Sequence, residues 1–504
     1  TAFFGHPRGL FVCFATEMWE RFSFYGMKYL LLLYLTKYHL FTDAGGLEIL
    51  GSYAALVYAM PVIGGLLADR YLGMRKSVVF GGVLLTLGHL GMAVEGNPAY
   101  VLGSEVVRDD IALQIFYLSL ALIVMGVGFL KPNISTLVGR LYHDNDPRRD
   151  TGFTLFYMGI NLGAVMATLL CGYLGETYGW RYGFGLAGIG MLIGLATFLS
   201  GQRYLQGAAE PPVPEQLRLK TPFGFSLEGT IYAMSLLGVA LVWQMLQFQG
   251  AVGHLLNVLS VAVLAGLIWF VTVKCNPVER SRMIVLIILT ISSVVFWALF
   301  EQSAASMTLF ADRVMDRRLL GFEFTASQFG ALNSIFILIL APLFAWLWMF
   351  LGRYRLEPST PMKFVLGIAQ AGLGFGALVI GAANPNEAGL VAAYWLLLAY
   401  LLHSSGELCL SPVGLSAVTK LAVPSVVGVM MGAWFLATAY SEFVAAQIAK
   451  LASVETVDGR VVDVADALAR YTSLFSDLLY AGLAAAALLA LLTPVLKKMM
   501  RGIH

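Results

Sequence analysis

Glu17-Met18-Trp19-Glu20-Arg21-Phe22-Ser23-Phe24-Tyr25-Gly26-Met27-Lys28 is the stretch on which the reading of the chain turns. Four ionisable side chains sit inside a segment, from about Leu10 to Leu35, that is otherwise an apolar helix long enough to cross a bilayer. At ~1.5 Å rise per residue, Glu20 lies ~18 Å from Arg8 and ~26 Å from Lys37, the flanking charges. That is near mid-bilayer, where a charge is costly and marks a functional position. Glu17 stands three residues before Glu20 and four before Arg21, so the three share a helix face, and Tyr25 and Lys28 continue it. Such a stripe cannot face lipid. It faces a protein interior or a watery cavity.

The remaining composition agrees. Of 504 residues, 59% are hydrophobic and only 12% charged, where a soluble protein carries about 25% charged residues. Mean hydropathy is +0.77. The fold class expected is an all-α polytopic membrane protein. A net charge of +2 gives no electrostatic case for a nucleic-acid partner. No cleavable leader is read, because the first apolar stretch is too long, carries charges and lacks an Ala-x-Ala site. Cys13, Cys171, Cys275 and Cys409 are scattered without C-x-x-C spacing, so neither a disulfide framework nor a zinc site is expected.

Windows able to cross ~30 Å of hydrocarbon number fourteen in a plan of six, two and six. Six lie in 1–200. A proline-rich cytoplasmic linker follows at 201–228, then two plain apolar helices in 229–282. Six more lie in 283–504, the first of them read as one continuous window over 283–311. The loops assigned to the inside hold 20 Lys and Arg against 9 outside, with Arg21, Lys28 and Lys131 left in the membrane. That bias predicts both termini inside. The halves also echo one another. Gly126, Lys131-Pro132 and Arg140 of span four match Gly406, Ser411-Pro412 and Lys420 of span ten in register. Two related halves around a midplane site is the plan of secondary transporters.

More polar residues lie deep in apolar spans. Lys131 is nine residues, ~14 Å, from Arg140, and pairs either with Glu17 or Glu20 as a functional cation or as a structural ion pair. Glu301 and Glu407 are each either a hydrogen-bonded structural acid or a proton carrier. Four deep acids against three deep bases leave about one acid unpaired, suited to carry a proton or to counter a substrate amine. Asn161 and Asn333 are mid-helix amides, for interhelical bonding or substrate contact. Tyr58 and Trp434 lie deep in spans two and eleven. His403 shares a face with Glu407, but no second histidine completes a metal site. No G-x-S-x-G, H-E-x-x-H or P-loop pattern occurs, so no enzyme is expected.

Asp69-Arg70-x-x-Gly73-x-Arg75-Lys76 resembles the loop signature of the major facilitator superfamily, with one residue inserted. Glu17-x-x-Glu20-Arg21-Phe22-Ser23-Phe24-Tyr25-Gly26 resembles the E-x-x-E-R-F-x-Y-Y-G motif of the proton-dependent oligopeptide transporters. Phe156-Tyr157-x-x-x-Asn161-x-Gly163, Gly128-x-x-Lys131-Pro132-Asn133 and Gly406-Glu407-x-x-x-Ser411-Pro412-x-Gly414 are also similar to that family's signatures. The resemblance spans the chain. It implies a major facilitator fold with two extra central helices, in the inner membrane of a bacterium, and a proton-coupled importer of di- and tripeptides. Such a protein acts as a monomer in lipid, with the proton as its coupling ion and no other cofactor. By the same resemblance Glu17, Glu20, Arg21, Lys131 and Glu301 couple proton movement to transport. Arg21, Tyr25, Lys28, Tyr58 and Lys131 surround the peptide carboxylate, Asn161 its backbone, Asn333 and Glu407 its amino group, and Trp434 lines the pocket. Phe24 departs from the motif by losing a hydroxyl. Lys28 departs where arginine is common, and lysine cannot fork onto a carboxylate.

A zwitterionic peptide would then meet cations from the N-terminal half and Glu407 from the C-terminal half. An alternative within transport is another small anion such as nitrate, against which Glu407 argues, since an anion offers it no amine.

Overall fold

A computed structural model describes residues 2–143 and 145–503. The chain is almost wholly helical: α1 (Arg8–Lys37), α2 (Asp43–Leu67), α3 (Gly73–Met92), α4 (Asp110–Arg140), α5 (Arg149–Thr177), α6 (Trp180–Gly201), α7 (Leu227–Gln247), α8 (Gln249–Val273), α9 (Pro277–Phe300), α10 (Ser306–Arg313), α11 (Ala331–Arg353), α12 (Thr360–Ala383), α13 (Ala393–Leu421), α14 (Val427–Ala449) and α15 (Val464–Met499). Strands of two or three residues form small ladders in the loops. Among the described residues, twelve helical stretches are long and apolar enough to cross a membrane. One of them, Asp43–Met92, holds both α2 and α3, and another, Pro277–Arg313, holds α9 and α10. The charged α1 is not among the twelve.

The helices pack into two compact units, Thr1–Phe41 with Ser52–Gln249, and Thr42–Gly51 with Gly250–His504. The first turns of α2 thus pack with the second unit and the rest of α2 with the first.

In the first unit, missing side chains let backbones touch, which is how helices associate where lipid offers no hydrophobic drive. A Cβ on Gly64 of α2 would lie 1.9 Å from the Gly128 carbonyl oxygen of α4. One on Gly163 of α5 would lie 2.2 Å from the Met18 carbonyl of α1. These contacts draw α2 against α4, and α5 against α1, so the charged stripe of α1 is enclosed. The signature loop between α2 and α3 is a π-helical turn, Ala68–Leu72, ending at Gly73 with φ 73°. Gly73 is needed twice: L side chains avoid that φ, and a Cβ there would meet the Glu210 carbonyl carbon at 2.6 Å. The linker docks on this loop through Arg75, whose Nε and Nη2 donate to Glu210 at 2.6 and 3.1 Å. The Glu210 carboxyl is accordingly held below the usual range, chiefly by that bond. Lys76 pairs with Glu228 at 2.6 Å.

In the second unit, α12 meets α13 and α15 through small residues. A Cβ on Gly367 would lie 2.9 Å from the Gly406 carbonyl, and Gly372 faces Gly482. Phe310, Phe375, Tyr471 and Phe475 stack into an aromatic core with centroids 5.3 to 6.2 Å apart. Asp43 accepts two bonds of 2.6 Å from the Arg313 guanidinium, with both side chains buried. The Val454 N–H adds a third at 3.0 Å.

The window 283–311 is not one continuous helix. α9 stops at Phe300, Glu301–Ala304 is a 3-10 turn, Ala305 lies at φ −112° and ψ −103°, and α10 then resumes. The break is held by side chains. The Gln302 amide donates to the Ala445 carbonyl of α14 at 2.9 Å, and Thr308 donates to the Ser303 carbonyl at 2.7 Å. Interrupted helices with local backbone bonding are where transporters place sites.

Candidate functional site

The first unit gathers eight of the residues singled out from sequence. Glu17, Glu20, Arg21 and Lys28 on α1 are all buried, as is Asn161 on α5. Tyr25 of α1, Tyr58 of α2 and Lys131 of α4 are half-buried. Arg21 forks onto its neighbour Glu20, with Nη2 donating to Oε1 at 2.6 Å and Nε to Oε2. It also stands 3.7 Å from Glu17 Oε1. Both acids are therefore engaged by Arg21. The second oxygen of Glu17 is buried with no hydrogen-bond partner among the described residues.

Lys131 is not paired with either acid. Its Nζ lies 5.0 Å from the centre of the Tyr58 ring and makes no ion pair among the described residues. Lys28 Nζ approaches the same ring at 5.9 Å and the Phe24 ring at 6.0 Å, while the Arg21 guanidinium lies over Phe24 at 4.5 Å. Three cations are thus strung along α1 and α4 with aromatic faces beside them. Ring faces carry negative potential and attract cations, so Phe24 and Tyr58 ease the crowding of like charge. Phe24, which the motif marks only as a lost hydroxyl, is a fully packed platform for Arg21. Its spacing of three after Arg21 and four before Lys28 is the signal available in the sequence. Asn161 donates to the Tyr157 carbonyl of its own helix at 3.2 Å.

The second unit holds the other four. The Asn333 amide of α11 donates to Glu407 Oε2 at 3.0 Å and to the Ser404 hydroxyl at 3.0 Å, both on α13. Ser404 is not among the sequence candidates, although it stands three residues before Glu407 on the same face. Glu301 is buried where α9 breaks. Trp434 of α14 is buried against Gly414, where a Cβ would lie 2.4 Å from the indole, and beside Phe364. His403 turns away from Glu407: its Nε2 bonds the Ala371 carbonyl at 2.9 Å. Among the described residues no cluster of three metal-ligating side chains occurs.

The two units thus differ in the groups they offer a ligand. The first offers ammonium and guanidinium groups that bind a carboxylate, beside acids able to take a proton. The second offers a carboxylate, oriented by an amide, that binds an ammonium.

Comparison with known proteins places the whole chain in a family. The POT family profile matches residues 75–467. An uncharacterised transporter, YclF, of Bacillus subtilis is 40% identical over 99% of this chain and 96% of its own. A di-/tripeptide transporter of Lactococcus lactis subsp. cremoris is 35% identical over 90% of this chain and 91% of its own. The crystal structure of a mutant peptide transporter POT in complex with alafosfalin superposes with a TM-score of 0.83, at 36% identity, covering 100% of this chain and 97% of that one.

Proposed function

The chain belongs to the POT family, and from that membership we propose that it imports di- and tripeptides together with protons. It is a transporter and not an enzyme, with the major facilitator fold. The proposed layout has fourteen crossings with both termini inside. Six helices lie in 1–200, a linker in 201–228, two added helices in 229–282 and six more in 283–504. The protein works as a monomer in the bacterial inner membrane.

The observation that carries the peptide reading is the pairing of opposite chemistries. Lys28 and Lys131 gather at the Tyr58 ring in one unit, and Asn333 orients Glu407 in the other. A peptide zwitterion has one end for each. Lys131 is the cation best suited to the substrate carboxylate, since Arg21 is already committed to Glu17 and Glu20. Tyr25 and Tyr58 flank that end, Asn161 takes the peptide backbone and Trp434 lines the pocket. Glu17, Glu20 and Glu301 carry the proton. Protonating Glu20 frees Arg21 to swing to Glu17, whose second oxygen has no partner among the described residues. A substrate with equal affinity for both states would shift nothing, so protonation of Glu20 must change the net charge that the peptide carboxylate meets.

Uptake of a labelled dipeptide into proteoliposomes tests this. An inward proton gradient should drive accumulation, unlabelled di- and tripeptides should compete, and nitrate should not. Competition by nitrate without competition by peptide would overturn the reading.

A further inference from the structure

We propose that a cavity where α4 ends and α5 begins binds a phosphate group, carried by an anionic lipid headgroup or free in solution. The cavity has a volume of about 520 Å³ and includes Gly139, Arg140, Tyr142, Arg149 and Phe153 in its lining. That is within the ~300–1,000 Å³ of small-ligand sites. Arg140 is the last residue of α4 and Arg149 the first of α5. The cavity therefore lies at the adjoining ends of two helices long and apolar enough to cross a membrane.

Its unused donors are two guanidinium groups. Among the described residues neither guanidinium has a hydrogen bond or ion pair to protein; the Arg149 backbone N–H donates to the Asp146 carbonyl at 3.1 Å, and its guanidinium only approaches the Phe153 ring, at 6.0 Å. The neighbouring Arg148 differs: it pairs with Asp146 at 2.7 Å and donates to the Gly5 carbonyl at 2.8 Å, so both it and Asp146 are already engaged. The Tyr142 hydroxyl is bonded to His6 Nδ1 at 2.8 Å. Gly139 shapes the site, because a Cβ there would lie 3.2 Å from Arg149 Nη2. Its absence leaves room for Arg149 against the end of α4. Planar guanidinium forks match phosphate oxygens in a way that lysine ammonium groups do not. None of the residues assigned to peptide or proton belongs to this cavity.

The test uses the full chain purified in detergent, with bound lipid counted by native mass spectrometry during titration with phosphatidylglycerol or phosphatidylcholine. A parallel thermal-shift titration uses inorganic phosphate. The wild type should hold one phosphatidylglycerol more tightly than phosphatidylcholine. Arg140→Gln/Arg149→Gln should weaken that one site about 30-fold, from roughly a factor of five for each basic residue, and Arg203→Gln/Arg218→Gln should not. Phosphate that stabilises the wild type but not the Arg140→Gln/Arg149→Gln protein would identify the free ion as the ligand. Preference for phosphatidylglycerol without a phosphate effect would identify the lipid. Equal binding of both lipids together with no phosphate effect, or a double variant that binds like wild type, overturns the proposal. Circular dichroism and dipeptide binding confirm that the variant is folded.

Discussion

Replacing Glu20 by glutamine removes one charge and almost no volume. Glu20 is fully buried and takes both arms of Arg21. The substituted amide keeps one acceptor for the guanidinium, and Glu17 stays 3.7 Å away to balance it. The ~3–5 kcal/mol penalty of an uncompensated buried charge is thus largely avoided, and the protein should fold. What is lost is a site that can gain and release a proton. An inward gradient of one pH unit with 100 mV supplies ~3.7 kcal/mol for each proton carried, a ceiling of about 500-fold accumulation of a zwitterionic peptide for one proton. Glu20→Gln should bring driven accumulation down to equilibration, while exchange of internal for external peptide continues at a reduced rate. The assay is labelled dipeptide in proteoliposomes, with a gradient for accumulation and without one for counterflow. Accumulation by the variant equal to wild type would refute the coupling role of Glu20.

Lys131→Ala should abolish driven uptake, and an unchanged rate would confine Lys131 to a structural role. Gly64→Ala puts a Cβ against the Gly128 carbonyl and should cost about 1–3 kcal/mol, read as a lower Tm in detergent, with a wild-type Tm contradicting that close approach. Arg313→Met strands buried Asp43 and should destabilise by about 3–5 kcal/mol, most of it recovered in Arg313→Met/Asp43→Asn. His39, between α1 and α2, is pushed down to about 4 by burial and then by Arg108. Its folded pKa is below the unfolded value, so the folded state takes up its proton later as pH falls. Stability is complete above about pH 6.5 and declines by about 3 kcal/mol towards pH 4. Unfolding followed from pH 7 to pH 4 should show a shallower decline in His39→Phe, and identical slopes would contradict this.

Residue spacing carries much of this architecture, and where it fails the reasons are physical. The apolar windows locate the helices because backbone bonding inside lipid permits little else. The charged face of α1 is visible in its three- and four-residue spacing. That spacing misplaces the strongest pair, however, since adjacent residues do not face each other along a helix. Arginine is long enough to wrap back onto Glu20, and so Lys131 is left at the Tyr58 ring rather than with an acid. The break after Phe300 is invisible in an apolar window, because the bond that stabilises it reaches from Gln302 to Ala445, far along the chain. The partnership of Asn333 with Ser404 and Glu407 likewise joins two helices that no local pattern connects.

Everything proposed for these residues depends on the chain moving peptide on a proton gradient. The most direct measurement is dipeptide accumulation by the wild-type protein in proteoliposomes, with an inward proton gradient and after its collapse by a protonophore. Peptide should accumulate well above equilibration in the first case and only equilibrate in the second. Uptake that is indifferent to the gradient, or no peptide uptake at all, would contradict it.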